Sequence, residues 1–170
     1  MEWYIKTFDE LSAREIYEIL KSRAEIFVKE QNITYVDEDN VDYRSLHVFG
    51  IENGRVAAYL RAYEDDGAVG EGCSNGGSDN CSEPAGATAS AGTRYVIKIG
   101  RVLSLKHGSG IGTALMKYAL REIPKRVPCN QIIMDAQKHA VHFYERLGFS
   151  VTSDEYLEEG IIHVDMSIDL

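Results

Sequence analysis

Apolar residues at Ile16, Ile19, Leu20, Ala24, Phe27 and Val28 recur at helical spacing and predict one long amphipathic helix. Its start is written in Ser12-Ala13-Arg14-Glu15, a capping box: the Ser12 hydroxyl can accept from the Glu15 amide while Glu15 reaches back. Leu11 and Ile16 fall at the staple positions. The polar stretch "QNITYVDEDNVDYRS" follows, with acids Asp37, Glu38, Asp39 and Asp42. In "LHVFGIENGRVAAYLRAY" two β-prone runs flank Asn53-Gly54, a pair that tolerates the positive φ values of a type I′ turn, so a hairpin is expected.

Residues 65 to 93 carry almost no large apolar side chain and are rich in Gly, Ser, Asn and Ala. Such a segment buries too little surface to offset its ordering entropy and reads as a flexible insertion between two strands. "YVIKIGRVLSL" is a strand that runs into a glycine loop and then a helix bearing Leu115, Tyr118, Ala119 and Ile123 on one side, ended by Pro124 and Pro128. "QIIMDA" is a short buried-type strand. "KHAVHFYERLGF" is a helix closed by Gly148 in the left-handed cap position, with Phe149 packing back. The tail alternates: Ile162, Val164, Met166, Ile168 and Leu170 share one face, and His163, Asp165, Ser167 and Asp169 the other. The order α, β-hairpin, β, α, β, α, β predicts an α/β (α+β) domain, a mixed sheet with helices packed on it.

Composition narrows the function. At 170 residues the chain suits a single domain over 1–170, and 44% apolar with 26% charged residues is ordinary for a globule. A net charge of −9 disfavours nucleic acid, which needs clustered Lys and Arg, and mildly favours cationic substrates such as amines. No apolar run has the length of a membrane span, and "MEWYIKTFDE" is acidic rather than signal-like, so a cytoplasmic protein is expected. Three cysteines, Cys73, Cys81 and Cys129, without a signal peptide argue against a disulfide framework, and no His/Cys set has zinc spacing.

Strand, glycine loop, helix is a phosphate-holding arrangement, and three ligands compete for "LSLKHGSGIGTAL". A P-loop needs Lys then Ser or Thr after its last glycine, but Gly112 is followed by Thr113-Ala114. A dinucleotide turn needs G-x-G-x-x-G; Gly108, Gly110 and Gly112 give G-x-G-x-G, although Asp135 could imitate the ribose-binding acid. The third is a pyrophosphate on successive backbone amides at a helix N-terminus. Here the residues resemble the coenzyme A signature of the GNAT acetyltransferases, with His107-Gly108-Ser109-Gly110-Ile111-Gly112 at the motif and His107 where Gln or Arg is usual. "FVKEQNITY", "IGRV", "DAQ", "FYERLGF" and "EEGIIHVDM" occur in the order seen in the ElaA-like subgroup, so the resemblance covers nearly the whole chain outside 65–93. The link from Val102 to Gly108 is shorter than in typical members, and Lys106 is the nearer fixed cation.

The resemblance implies a mostly antiparallel sheet splayed between its fourth and fifth strands, with acetyl-CoA in the gap. It implies that the backbone of Val102, Leu103 and Ser104 pairs with pantetheine, and that His107, Gly108, Ser109, Gly110, Ile111, Gly112 and Thr113 hold the pyrophosphate. It makes Tyr144 the general acid toward the CoA thiolate; position alone reads Tyr144 as core. The Leu103 amide could polarise the thioester carbonyl. For the base, His163, with Asp165 able to orient it, and Glu30 rank equally beside a water relay. His139 and His142 read as solvated helix histidines. Gln137 either bonds the pantetheine arm or caps the helix after it. Arg61 and Arg101 read first as partners of acids and second as anchors for a carboxylate on the substrate. The expected activity is acetyl transfer to an amine, without a metal; the alternative is a CoA-binding module without turnover, and a nicotinamide enzyme is third. Dimerisation is common in the family.

Overall fold

The computed structural model describes the whole chain except residues 33, 35, 66–94 and 159, so the predicted insertion, with Cys73 and Cys81, lies outside the described residues apart from Asp65. Among the described residues eight strands form one mixed sheet in the order β1-β2-β3-β4-β5-β8-β6, with β7 also paired to β8. The strands are β1 Glu2–Thr7, β2 Leu46–Glu52, β3 Arg55–Glu64, β4 Val96–Ser104, β5 Gln131–Gln137, β6 Ser150–Val151, β7 Tyr156–Glu158 and β8 Ile161–Asp169. The α-helices are α1 Ala13–Arg23, α2 Ile111–Arg126 and α3 Val141–Glu145. No helix among the described residues is long and apolar enough to cross a membrane.

Local chemistry places most elements where the pattern put them. Ser12 and Glu15 form both halves of the capping box, at 3.3 and 2.8 Å. Asn53 and Gly54 both take positive φ, +53° and +76°, and close the β2–β3 hairpin. The first helix is less regular than expected. α1 stops at Arg23, and Ala24–Glu30 continues as a wider helical turn in which the Gln31 amide bonds the Ile26 carbonyl five residues back. That wider turn rotates the apolar face, so Ile26 and Phe27 are buried while Val28 is exposed.

Two further expectations are corrected. Pro124 does not end α2: it forfeits one amide bond, but buried Ile123 and the Val127 amide on the Ile123 carbonyl hold the turn to Arg126. β1 has no counterpart in the predicted order. It is an edge strand with aromatics on both faces, Trp3 stacked on Tyr118 and Tyr4 on Phe49, so its sequence shows no polar–apolar alternation.

α2 and α3 cover one sheet face, burying Leu115, Met116, Ala119 and Ile123 against Val48, Leu60, Ile97, Ile99, Ile132 and Met166. α1 and the turn after it cover part of the other face at Phe49, Val56, Tyr59 and Leu103. β4 and β5 form the parallel pair of the sheet, in register only at Val96–Gln131, Ile97–Ile132 and Lys98–Ile133. Beyond Lys98 they part. In β4, Arg101 and Val102 both oppose Leu60, since Arg61 pairs with Gly100 and Tyr59 with Leu103. This bulge, with Arg101 at φ +53°, bends the strand where the gap opens.

Candidate active site

The parting of β4 and β5 leaves a cleft of about 670 Å³. Its walls include Val102, Leu103, Ser104, His107, Gly108, Gly110, Gly112, Thr113, Gln137, Tyr144 and His163, so most of the residues singled out in the sequence meet in one place. Ser109 and Ile111 are not in its lining: the Ser109 hydroxyl donates to the Lys106 carbonyl at 2.7 Å, and Ile111 packs on the core. Glu30 is not either. It lines an adjoining recess with Glu52 and Lys106 and meets His107 Nε2 at 2.8 Å.

At the rim, Gly108 and Gly110 have φ of +70° and +80°, with open space where a Cβ would lie. Glycine is thus required there by backbone conformation rather than by crowding. The turn delivers the chain into α2, whose first intrahelical bond, Ala114 to the Gly110 carbonyl, is 3.0 Å. The amides of Ile111, Gly112 and Thr113 precede it and have no helical acceptor. Between rim and floor, the edge of β4 facing β5 has no strand partner after Lys98 among the described residues.

Tyr144 is 8% exposed, in edge contact with Phe143 and Phe149, and its hydroxyl has no partner among the described residues. Burial pushes the phenol up to about 12, because the phenolate would be poorly solvated. Its backbone is fixed by the motif read in the sequence. The Phe149 amide bonds the Tyr144 carbonyl at 3.2 Å, the Gly148 amide bonds the Glu145 carbonyl at 3.0 Å, and Gly148 sits at φ +99°. This is a Schellman closure.

His163 is buried as well. Its Nδ1 lies 2.9 Å from the Ile161 carbonyl, an acceptor only, so Nδ1 carries the hydrogen and Nε2 is left as the lone-pair nitrogen of the neutral ring. Asp165 does not orient it, as had been expected; it accepts from the Tyr156 hydroxyl at 2.7 Å instead. Gln137 makes no cap bond, and its side chain donates to Gln31 at 3.4 Å.

Arg61 and Arg101 are partners of acids. Arg61 grips Asp39 through both terminal nitrogens, at 2.6 and 2.5 Å, and Arg101 Nε donates to Asp37 at 2.7 Å. Sequence reasoning missed the centre of this network, Arg23, which is 1% exposed and bonds Asp37 at 2.6 Å and Asp42 at 2.8 Å. The available signal was its place three and four residues after Leu20 and Ile19, on the apolar face. Together three arginines pin the acidic segment onto the sheet beside the cleft. Asp135, weighed as a ribose acid, instead pairs with Lys98 at 2.7 Å on the cleft wall. The mostly antiparallel sheet is not a dinucleotide fold.

An open mixed sheet, parted at its parallel pair beside a glycine-led helix, defines a class of acyl-transfer domain, and the comparisons agree. Residues 79–170 match the family model "Acetyltransferase (GNAT) domain". The chain belongs to the GNAT acetyltransferase family. Among its relatives, ElaA of Escherichia coli K12 is 29% identical over 171 residues, spanning 98% of this chain and 95% of that protein. The ElaA crystal structure superposes with a TM-score of 0.76 at 28% identity over 98% and 97% of the two chains. An acyl-CoA N-acyltransferase from Pseudomonas aeruginosa does so with 0.76 at 28% over 98% and 99%. An aminoglycoside 6′-N-acetyltransferase complexed with coenzyme A, 12% identical at a TM-score of 0.65 over 98% and 96%, shares the fold.

Proposed function

We propose that this protein transfers an acetyl group from acetyl-CoA directly to an amine, as a single domain. The observation that carries the reading is that Tyr144 and His163 line one cleft with the glycine turn and the unpartnered edge of β4. The site suits the donor in three respects. The amides of Ile111, Gly112 and Thr113, which have no acceptor within α2 and lie at its positive end, favour a diphosphate. The exposed β4 edge at Val102, Leu103 and Ser104 can take the amide-bearing pantetheine arm as an added strand. A neighbour of the same fold is solved with coenzyme A.

Bound acetyl-CoA supplies an activated acetyl group as a thioester. The chain supplies proton control. His163 Nε2 takes a proton from the substrate ammonium, leaving a neutral nitrogen that bonds to the acetyl carbon as the carbon–sulfur bond breaks. Tyr144 gives its proton to the departing sulfur and regains one as the nitrogen sheds its second, so one proton in all passes to solvent through His163. Burial holds Tyr144 in its protonated form, pushed up to about 12, so the phenol keeps the proton it would give to the departing sulfur. Glu30, outside the cleft, has no part in this scheme.

The test is thermal stability with acetyl-CoA, CoA, NAD or ATP, followed by thiol release with an amine panel. A ligand at about 100 times its dissociation constant adds roughly 2.7 kcal/mol, several degrees of melting temperature. Stabilisation by acetyl-CoA and CoA with amine-dependent thiol release is expected. Stabilisation by NAD alone would overturn the reading, and CoA binding with no thiol release would leave a binding module.

A further inference from the structure

We infer that the acceptor is an amino acid, whose carboxylate is held in the hollow over Gly100 beside Arg61. The inference rests on the acetyl-transfer reading and names the substrate class of that same site. Gly100 is a glycine that the fold does not require. It lies within β4, lines the cleft, and has no atom beyond its chain neighbours within 4 Å of where a Cβ would stand. It is not among the glycines of positive φ; Arg101, the next residue, takes the left-handed conformation of the bulge, at φ +53°. Neither crowding nor backbone conformation accounts for it, and a glycine inside a strand weakens the sheet. Such a glycine marks a place where a ligand approaches the backbone closely. The donor arm, laid along Val102, Leu103 and Ser104 toward the glycine turn, leaves Gly100 beyond its acetyl end, on the acceptor's side of the bulge.

The independent observation is Arg61, which stands directly opposite Gly100 in the β3–β4 register, so the two share a face of the sheet. Arg61 is 3% exposed and lines the cleft. Its terminal nitrogens are taken by Asp39 and Asp42, but its Nε is buried and has no acceptor among the described residues. A buried donor left without an acceptor is costly, and at a cleft wall it marks where a ligand oxygen completes the bonding. The charge of the lining agrees. Its two acids, Asp135 and Glu158, are outnumbered by Arg61, Lys98 and Arg101 around Gly100 and by Lys106 and Arg146 farther along. Lys98 and Arg101 already hold Asp135 and Asp37, so the donor left over for a ligand is Arg61 Nε. A carboxylate over Gly100 accepts from that nitrogen, while the amine of the same molecule lies in the cleft with His163 and Tyr144. Acetyl transfer as described above takes place at the amine, and the carboxylate stays ionised throughout.

The experiment has two arms. The first compares each common L-α-amino acid, and γ-aminobutyrate, with its own carboxamide under saturating acetyl-CoA. Thiol release is the readout, n-butylamine serves as an amine without the group, and acetyl-CoA thermal stabilisation is measured alongside. The preferred acid should exceed its carboxamide in kcat/KM by about tenfold or more, the scale of a hydrogen bond to a charged group. Gly100→Ala should keep its melting temperature and its stabilisation by acetyl-CoA. It should raise the acceptor's KM by about tenfold or more, the effect of one unwanted methyl in a fitted pocket. The second arm needs no turnover. Gly100→Asp places the chain's own carboxylate in the hollow and should melt above Gly100→Asn at pH 7, an advantage lost as pH falls below about 4. Equal use of acids and carboxamides, a preference for n-butylamine, an unchanged KM in the alanine variant, or an aspartate variant no more stable than the asparagine one would each overturn the amino-acid inference and leave donor binding standing. No stabilisation by acetyl-CoA would remove the underlying reading.

Discussion

The Glu30 carboxylate meets Nε2 of His107 at 2.8 Å, and one residue earlier Lys106 is paired with Glu52. Both basic side chains at the start of the glycine turn are thus matched by acids from outside it. An incoming diphosphate must compete with these carboxylates for the same partners. Glu30→Gln is therefore expected to tighten CoA binding. Both partners are more than half exposed, so the effect is small, about two- to fivefold in dissociation constant at low salt, and fades as salt screens it. Calorimetric titration with CoA at two ionic strengths checks it; weaker binding by the variant would make Glu30 a ligand contact.

Tyr144→Phe isolates the proposed proton donor. The ring contacts with Phe143 and Phe149 persist, and the lost hydroxyl had no partner among the described residues, so stability should hold within about 0.5 kcal/mol. The rate of thiol release should fall by about 10²-fold or more, the usual contribution of a general acid, with little change in acetyl-CoA affinity. With the phenol near 12, loss of its proton should not limit the wild-type rate below about pH 11. An unchanged rate in the phenylalanine variant would return Tyr144 to the core.

What the sequence disclosed and what it hid divide by range. Ser12 with Glu15, Asn53 with Gly54, and Gly148 with Phe149 act over one to three residues, so their chemistry can be read directly and the structure shows each as expected. Arg23 meets acids 14 and 19 residues away, and Lys98 meets Asp135 across a parallel pair; no local pattern specifies such partners. His163 was misassigned its partner for a geometric reason. Two residues along a strand separate side chains by about 6.8 Å, too far for Asp165, while the carbonyl of Ile161 lies within reach of Nδ1. β1 was hidden because aromatic contacts on both faces erase the alternation that betrays a strand.

Gly148 links fold to site. At φ +99° an added side chain is strained, by about 1–2 kcal/mol, and a Cβ there would come within 3.1 Å of Ile168 Cδ1. Gly148→Ala is expected to lower the melting temperature by several degrees and, because the closure fixes the Tyr144 carbonyl, to reduce turnover beyond what the stability loss explains. Asparagine, which visits left-handed backbone more readily, should be milder on both counts. Calorimetry with thiol-release kinetics well below the melting temperature separates the two effects. A variant that melts early but turns over normally would show that Tyr144 does not depend on this closure.

The acidic segment beside the cleft carries a pH dependence of defined sign. The bidentate bond from Arg61 holds the Asp39 carboxyl down at about 2, below its ordinary 3.8, against the opposing effect of burial. Between those values the unfolded chain binds the proton and the folded one does not, so Asp39 stabilises the fold fully above about pH 4 and loses that contribution as pH falls toward 2. Asp39→Asn should therefore melt below the wild type at pH 7, and the gap should narrow as pH drops from 4 to 2. Melting curves of both proteins across that range decide it. A gap that stays constant to pH 2 would mean that Asp39 acts through the shape of its hydrogen bonds to Arg61 and not through its charge.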